Sequence, residues 1–154
     1  MMKVSISYAT QGGTSELFAH QLSNELNSMN HLEVSCASIA EFEEQSLVGN
    51  TNDLNLFIIS TVGGGEPPES MTDFYDWLMD LEAGSLPSIK YSIFGIGNSN
   101  YKETYQKASR AVIHKLADLV GCSVAPCMEG DASTADLDIK FSKWTDLIKQ
   151  CCQQ

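Results

Sequence analysis

"SYATQGGTSELFAHQL" spans residues 7–22 and changes character in its middle. A β-branched, alternating run stops at Tyr8-Ala9. Small polar residues and glycines follow from Thr10 to Ser15, and an amphipathic helical pattern begins at Glu16. A strand-to-helix corner of Thr10, Gln11, Gly12, Gly13, Thr14 and Ser15, with no lysine or arginine, has two readings. Turns and helix caps favour Gly, Ser and Thr for local reasons. The same residue types at a helix N-terminus also hold an anion, through backbone N–H groups and hydroxyls. The corner alone does not separate these readings; the rest of the chain does.

Outward from the corner, strand and helix patterns alternate. Val4–Tyr8 is the first expected strand. The helix after it carries Phe18, Leu22, Leu26 and Met29 on one face. Leu32–Cys36 alternates as an edge strand would, and residues 40–50 suggest a short helix. Leu54–Ser60, "LNLFIIS", is a nearly continuous apolar run, expected of a strand covered on both faces. A helix with Met71, Phe74, Leu78 and Leu81 on one stripe follows, with Ser70 and Asp73 as a capping pair. Ile89–Gly95 is the next strand. The helix after it carries Ala108, Val112, Leu116 and Leu119 and stops at Gly121. Ser123–Met128 is the last strand, an edge because of Pro126. The final helix shows Leu137, Phe141, Trp144, Ile148 and Cys151 on one face, with Cys151 and Cys152 on a fraying end. The 154 residues contain no repeat or linker, so 1–154 is expected to be one domain. Strands alternating with helices imply an α/β fold with a doubly wound parallel sheet.

Composition narrows the function classes. Nine Lys and Arg against twenty Asp and Glu give a formal charge of −11. Such a chain is repelled by nucleic acid and anionic membrane surfaces, and a basic protein partner is its complement. No apolar run approaches the ~18 residues of a membrane span, and Met1-Met2-Lys3-Val4 leads straight into a strand. A cytoplasmic location is expected. Cys36, Cys122, Cys127, Cys151 and Cys152 lack the spacing of a zinc site or a disulfide framework, and His20, His31 and His114 are scattered, so no metal is expected.

Ligands of doubly wound sheets bind beyond the carboxyl ends of the strands, where strand order reverses. Three segments rich in glycine and short polar residues follow strands here: "TQGGTS" (10–15), "STVGGGEPPES" (60–70) and "GIGNSNY" (95–101). The first lacks the lysine of a P-loop and the GxGxxG of a dinucleotide fold. It offers a phosphate only neutral donors. Gly63, Gly64 and Gly65 allow backbone to approach a ring edge, and Tyr101 can stack on its face. A phosphate and a flat ring together describe a mononucleotide.

With these segments the chain resembles the flavodoxin family. It is similar to the FMN-binding domains of diflavin reductases of the sulfite reductase flavoprotein type, and to small stand-alone MioC-type bacterial flavodoxins. "YATQGGTSE" resembles the phosphate loop, "STVGGGEPPES…FYDWL" the second flavin loop and its helix, "FGIGNSNY" the third, and "EGDAS" an acidic turn after the last strand. The similarity runs from Val4 to about Ile148 and is of the short-chain type. It implies a flavodoxin-like three-layer, five-stranded parallel sheet of order 2-1-3-4-5 with non-covalent FMN. Thr10, Gln11, Gly12, Gly13, Thr14 and Ser15 would hold the phosphate. Ser60, Thr61, Val62, Gly63, Gly64 and Gly65 would line one side of the isoalloxazine, and Gly97, Asn98 and Tyr101 the other. Asp131 matches an acidic residue near the cofactor. Gly12 replaces the usual Thr and Val62 a usual aromatic, so FMN binding weaker than in members with two aromatics is expected.

The resemblance implies one-electron transfer, with FMN passing among oxidised, semiquinone and hydroquinone forms, from an NAD(P)H-dependent flavoprotein reductase to an acceptor redox protein. The Gly63-Gly64 peptide is expected to turn its carbonyl toward the flavin. The acidic surroundings, without Lys or Arg in the first two loops, should lower the last reduction potential. Glu66, Glu69, Asp73 and Asp76 are candidates for a docking face. No base or nucleophile stands in these loops, so a carrier rather than a complete enzyme is expected, with no catalytic residues of its own. The alternative is a flavodoxin-like interaction module with weak or lost FMN binding. A phosphorylation receiver would need acids where Ala9-Thr10 and Ser60-Thr61 stand.

Overall fold

Leu54–Ser60 is buried along its whole length and forms β3 in the computed structural model, which describes residues 1–120 and 125–153. The other strands are β1 (Met2–Ala9), β2 (Leu32–Ser38), β4 (Tyr91–Gly97) and β5 (Met128–Asp131). They form one sheet in the order β2-β1-β3-β4-β5, and every pairing is parallel. The helices are α1 (Thr14–Asn27), α2 (Gln45–Val48), α3 (Thr72–Asp80), α4 (Lys107–Val120) and α5 (Asp136–Cys152). Short 3-10 turns stand at Ile39–Glu41 and Glu69–Met71.

The sheet is covered on both faces, which makes three layers. Leu54, Leu56 and Ile58 of β3 pack with Val4, Ile6 and Phe94 against Phe18, Leu22 and Leu26 of α1 and Phe141, Trp144 and Ile148 of α5. Phe57 and Ile59 point the other way, with Tyr91 and Ile93, onto Leu47, Phe74, Leu78, Val112 and Leu116. The alternating direction of strand side chains feeds both cores from one apolar run. Phe18 stacks on Phe141 with centroids 4.3 Å apart, and the indole N–H of fully buried Trp144 donates to Ser92 Oγ at 2.9 Å.

Several boundaries differ from those read in the sequence. α1 begins at Thr14 rather than Glu16, because Gly13 takes a left-handed φ of 94° and ends the loop there. β4 runs Tyr91–Gly97 rather than Ile89–Gly95: Ile89 is buried but lies before the ladder. β5 is Met128–Asp131, so Pro126 precedes the strand instead of lying in it. The expected strand start at Ser123 and Val124, the helix stop at Gly121, and Cys122 lie outside the described residues. Residues 40–50 divide between a 3-10 turn and α2. Ser70 and Asp73 do not form a capping pair. The 3-10 turn Glu69–Met71 puts Met71 at the cap position, with no side-chain cap bond, and Ser70 Oγ is buried without a hydrogen-bond partner. The end of α5 is anchored rather than frayed: Cys152 is fully buried, and its carbonyl meets His31 Nε2.

Candidate functional site

Strand order reverses between β1 and β3. From β1 the chain crosses to β2 on one side, then returns to β3 on the other. The loops after β1 and β3 therefore part at this point, and the crevice between them is where such sheets bind ligands.

The first loop closes on itself. Gly13 N–H donates to Thr10 Oγ1 at 2.7 Å, and Gly13 C=O accepts the first helical bond, from Leu17. Gly13 provides no side-chain cap, so the first amides of α1 lack the side-chain acceptor that usually caps a helix. A Cβ on Gly12 or on Gly13 would meet nothing within 4 Å, so this corner has open space beside it. Gln11, Gly12, Gly13 and Thr14 are exposed and Thr10 is half-buried. Ser15 differs: it is fully buried, and its Oγ lies 2.6 Å from Ser60 Oγ. That hydroxyl joins the first two loops and is turned away from the open corner.

The second and third loops are held together by backbone and hydroxyl bonds. Thr61 N–H donates to Ile96 C=O at 2.9 Å, and Thr61 Oγ1 accepts from Ala108 N–H at 3.2 Å. Thr104 Oγ1 donates to Gly63 C=O at 2.7 Å. The Tyr101 ring lies over Gly63, where a Cβ would come within 3.2 Å of it. Behind that ring, among Thr61, Val62, Gly63, Asn98 and Thr104, the enclosed space is about 30 Å³, room for about one water. A larger groove of about 290 Å³ runs between α1 and α5, on the sheet's flank and lined by none of these loops.

Asp131 ties the third loop to the end of β5. Its Oδ1 accepts from Ser99 N–H at 3.1 Å, Ser133 N–H at 2.9 Å and Ser133 Oγ at 2.7 Å. Hydrogen bonds from Ser99 first, then from Ser133, hold its carboxyl well below the usual carboxylate range. Ala132 N–H donates to Gly97 C=O at 2.7 Å. The Asn98 carboxamide oxygen accepts from Asn100 N–H at 2.9 Å, and its backbone C=O from Tyr101 N–H at 3.0 Å. Thus all four segments singled out in the sequence meet at one end of the sheet.

Three residues at this end escaped the sequence reading. Thr104 is one. Gln106 is buried with a φ of 59°, and its Nε2 donates to Gly95 C=O and Gly130 C=O at 3.2 and 3.1 Å, clamping β4 to β5. A Cβ on Gly97 would sit 3.0 Å from the same amide, which explains that glycine. The third is Lys107: a Cβ on Gly65 would lie 2.8 Å from its Cδ. The second loop contains no cation, yet α4 lays one beside it. None of the three carries a motif, because each acts through a contact that only the fold creates.

A family model described as Flavodoxin matches residues 6–144. The chain belongs to the flavodoxin family. Flavodoxins are FMN-binding proteins. Over 142 residues the chain is 36% identical to NADPH–cytochrome P450 reductase of Candida tropicalis, covering 92% of this chain and 21% of the relative. It is 31% identical over 147 residues to S-adenosyl-L-methionine-dependent tRNA 4-demethylwyosine synthase of Arabidopsis thaliana, covering 92% and 22%. The chain thus spans about a fifth of the length of these curated relatives. Among solved structures, a cysteine-to-serine mutant of flavodoxin from Pseudomonas aeruginosa superposes with a TM-score of 0.81 at 23% identity, covering 99% of this chain and all of that one. A short-chain flavodoxin associated with a PDU bacterial microcompartment superposes at 0.74 and 21%, covering 98% and 99%. The five-stranded order of this flavodoxin is the one the resemblance implied.

The corner at α1 fits the phosphate of FMN. It offers uncapped amides, the exposed Thr14 hydroxyl and open space over Gly12 and Gly13. Among the described residues no group of three His, Cys, Asp or Glu side chains is arranged to hold a metal ion, and no helix is long and apolar enough to cross a membrane.

Proposed function

We propose that this flavodoxin is an electron carrier that holds FMN at the β1/β3 switch point. The observation that carries the reading is the convergence of three glycine- and hydroxyl-rich loops on the uncapped start of α1. The phosphate is held by the first amides of α1 with Thr10, Gln11, Gly12, Gly13 and Thr14. Ser15 contributes its backbone amide, while its hydroxyl braces Ser60. The ring lies beside Val62, Gly63, Gly64 and Gly65 on one side and Gly97, Asn98 and Tyr101 on the other. Tyr101 is 54% exposed, so its ring has solvent beside it into which it can turn to admit the flavin. When bound, FMN accepts and donates single electrons, and the protein supplies position and electrostatics.

Electrons come from an NAD(P)H-dependent flavoprotein reductase and pass to an acceptor redox protein. The name of the Candida relative, an NADPH–cytochrome P450 reductase, supports that pairing. Glu66, Glu69, Asp73 and Asp76 are all exposed along the second loop and α3, and present a negative face for a basic partner. The test is stopped-flow oxidation of the reduced, FMN-loaded protein by a basic haem protein. The rate should fall steeply as salt rises; a salt-independent rate would remove the acidic docking face.

A further inference from the structure

Val62–Gly65 is a turn closed by Gly65 N–H donating to Val62 C=O at 2.7 Å, with Gly63–Gly64 as its central peptide. Gly64 is not among the residues with positive φ, so the turn is not in its type II form. Turning the central peptide over produces that form, which needs a positive φ at its third residue, and glycine takes such a φ without steric cost. The Gly63 carbonyl therefore has two accessible orientations. Only one of them has the Thr104 hydroxyl as donor, at 2.7 Å. Thr104 is itself held at two points. Its N–H donates to Tyr101 C=O at 3.1 Å, it is half-buried, and Gly65 backs onto its methyl group, where a Cβ would lie 3.1 Å away. A valine would keep that packing and lose this bond, together with the longer one from the same hydroxyl to Tyr101 C=O at 3.4 Å.

We propose that Thr104 is a positioning residue, a latch that holds the Gly63–Gly64 peptide in one of the turn's two forms. Its redox consequence rests on the FMN reading above. FMN held beside this loop would supply a ring N–H on its first reduction, with one electron from the reductant and one proton from water. Gly63 C=O can accept from that N–H only after giving up Thr104. No covalent bond of the protein forms or breaks. The latch thus opposes the first reduction by the worth of one hydrogen bond, a factor of about two to ten in the ratio of the two turn forms.

The test uses the full chain with Thr104→Val, Thr104→Ser and Gly64→Ala. In flavin-free protein, relaxation-dispersion NMR of the Gly64 amide should show the second turn form enriched about two- to tenfold in Thr104→Val and unchanged in Thr104→Ser. In FMN-loaded protein, the first reduction potential should rise in Thr104→Val and stay at the parent value in Thr104→Ser. It should fall in Gly64→Ala, because alanine resists the positive φ. An unchanged Gly64 amide in Thr104→Val, or equal potential shifts in the valine and serine variants, would overturn the latch. A parent protein that takes up no FMN would overturn the functional reading alone, since the amide measurement would still decide the latch.

Discussion

The hydroxyls of Ser15 and Ser60 meet at 2.6 Å, both buried, across the point where strand order reverses. One stands in the first turn of α1 and the other ends β3, so this bond fixes the corner against the second loop. Removing either hydroxyl leaves the other buried without a partner. Ser15→Ala and Ser60→Ala should each lose about 1–3 kcal/mol. The double variant should lose clearly less than their sum, because no orphaned hydroxyl remains. Denaturant unfolding of the three variants measures this, and additive losses would contradict it.

Val62 is half-buried and lines, with Tyr101, the small space beside Gly63. A tyrosine there would give the ring a second aromatic face. Stacking contributes about 0.5–1.5 kcal/mol, so Val62→Tyr should tighten FMN binding about two- to twelvefold. Quenching of flavin fluorescence reads the dissociation constant, and unaltered affinity would contradict a ring seated between these residues.

Asp131 links stability to acid. Its folded carboxyl is depressed below the ordinary value of 3.8 by bonds from Ser99 and Ser133. A depressed acid contributes stability above its unfolded pKa and loses it as pH falls toward the folded value. The thermal midpoint of the parent should therefore draw on Asp131 at neutral pH and decline below about pH 4. Asp131→Asn should be less stable at pH 7 and show a shallower decline in acid. Parallel pH profiles for the two proteins would contradict this.

How far the fold was legible depended on what each segment's residues had to satisfy. "LNLFIIS" admitted one reading because burial on both faces demands a continuous apolar run, and β3 occupies those residues. β5 was misplaced because "MEGD" has the composition of a turn, with an acid and a glycine that strands disfavour. Its Gly130 is dictated from outside: a Cβ there would lie 2.6 Å from Leu137 Cδ1 and 2.9 Å from Phe94 Cζ. The capping pair at Ser70 failed because Pro67 and Pro68 lead into a 3-10 turn that moves the cap to Met71. The loops at the switch point showed in glycine and hydroxyl content, but their bracing did not. Ser15 looked like a phosphate ligand by position, and only the paired strands bring its hydroxyl to Ser60. Thr104 and Gln106 lie between the third loop and α4, and Lys107 opens α4, where no local pattern marks a residue that reaches another loop.

The cysteines separate by burial. Cys152 is fully buried at the end of α5, and burial, then neighbouring Cys151, pushes its thiol up to about 11. The thiolate is the reactive form, so native Cys152 should resist iodoacetamide at pH 8. Modification of Cys152 should appear only on unfolding. Peptide mass mapping before and after denaturation checks this, and rapid labelling of Cys152 itself in the native protein would contradict an anchored helix end.

The central claim is that the corner at α1 and the loops beside it form one FMN site. Titration of flavin-free protein with FMN, set against riboflavin, tests it most directly. Saturation is expected at one FMN per chain, with riboflavin weaker by at least about tenfold because it lacks the phosphate held by the helix amides. FMN that never saturates, or riboflavin that binds as tightly as FMN, would contradict it.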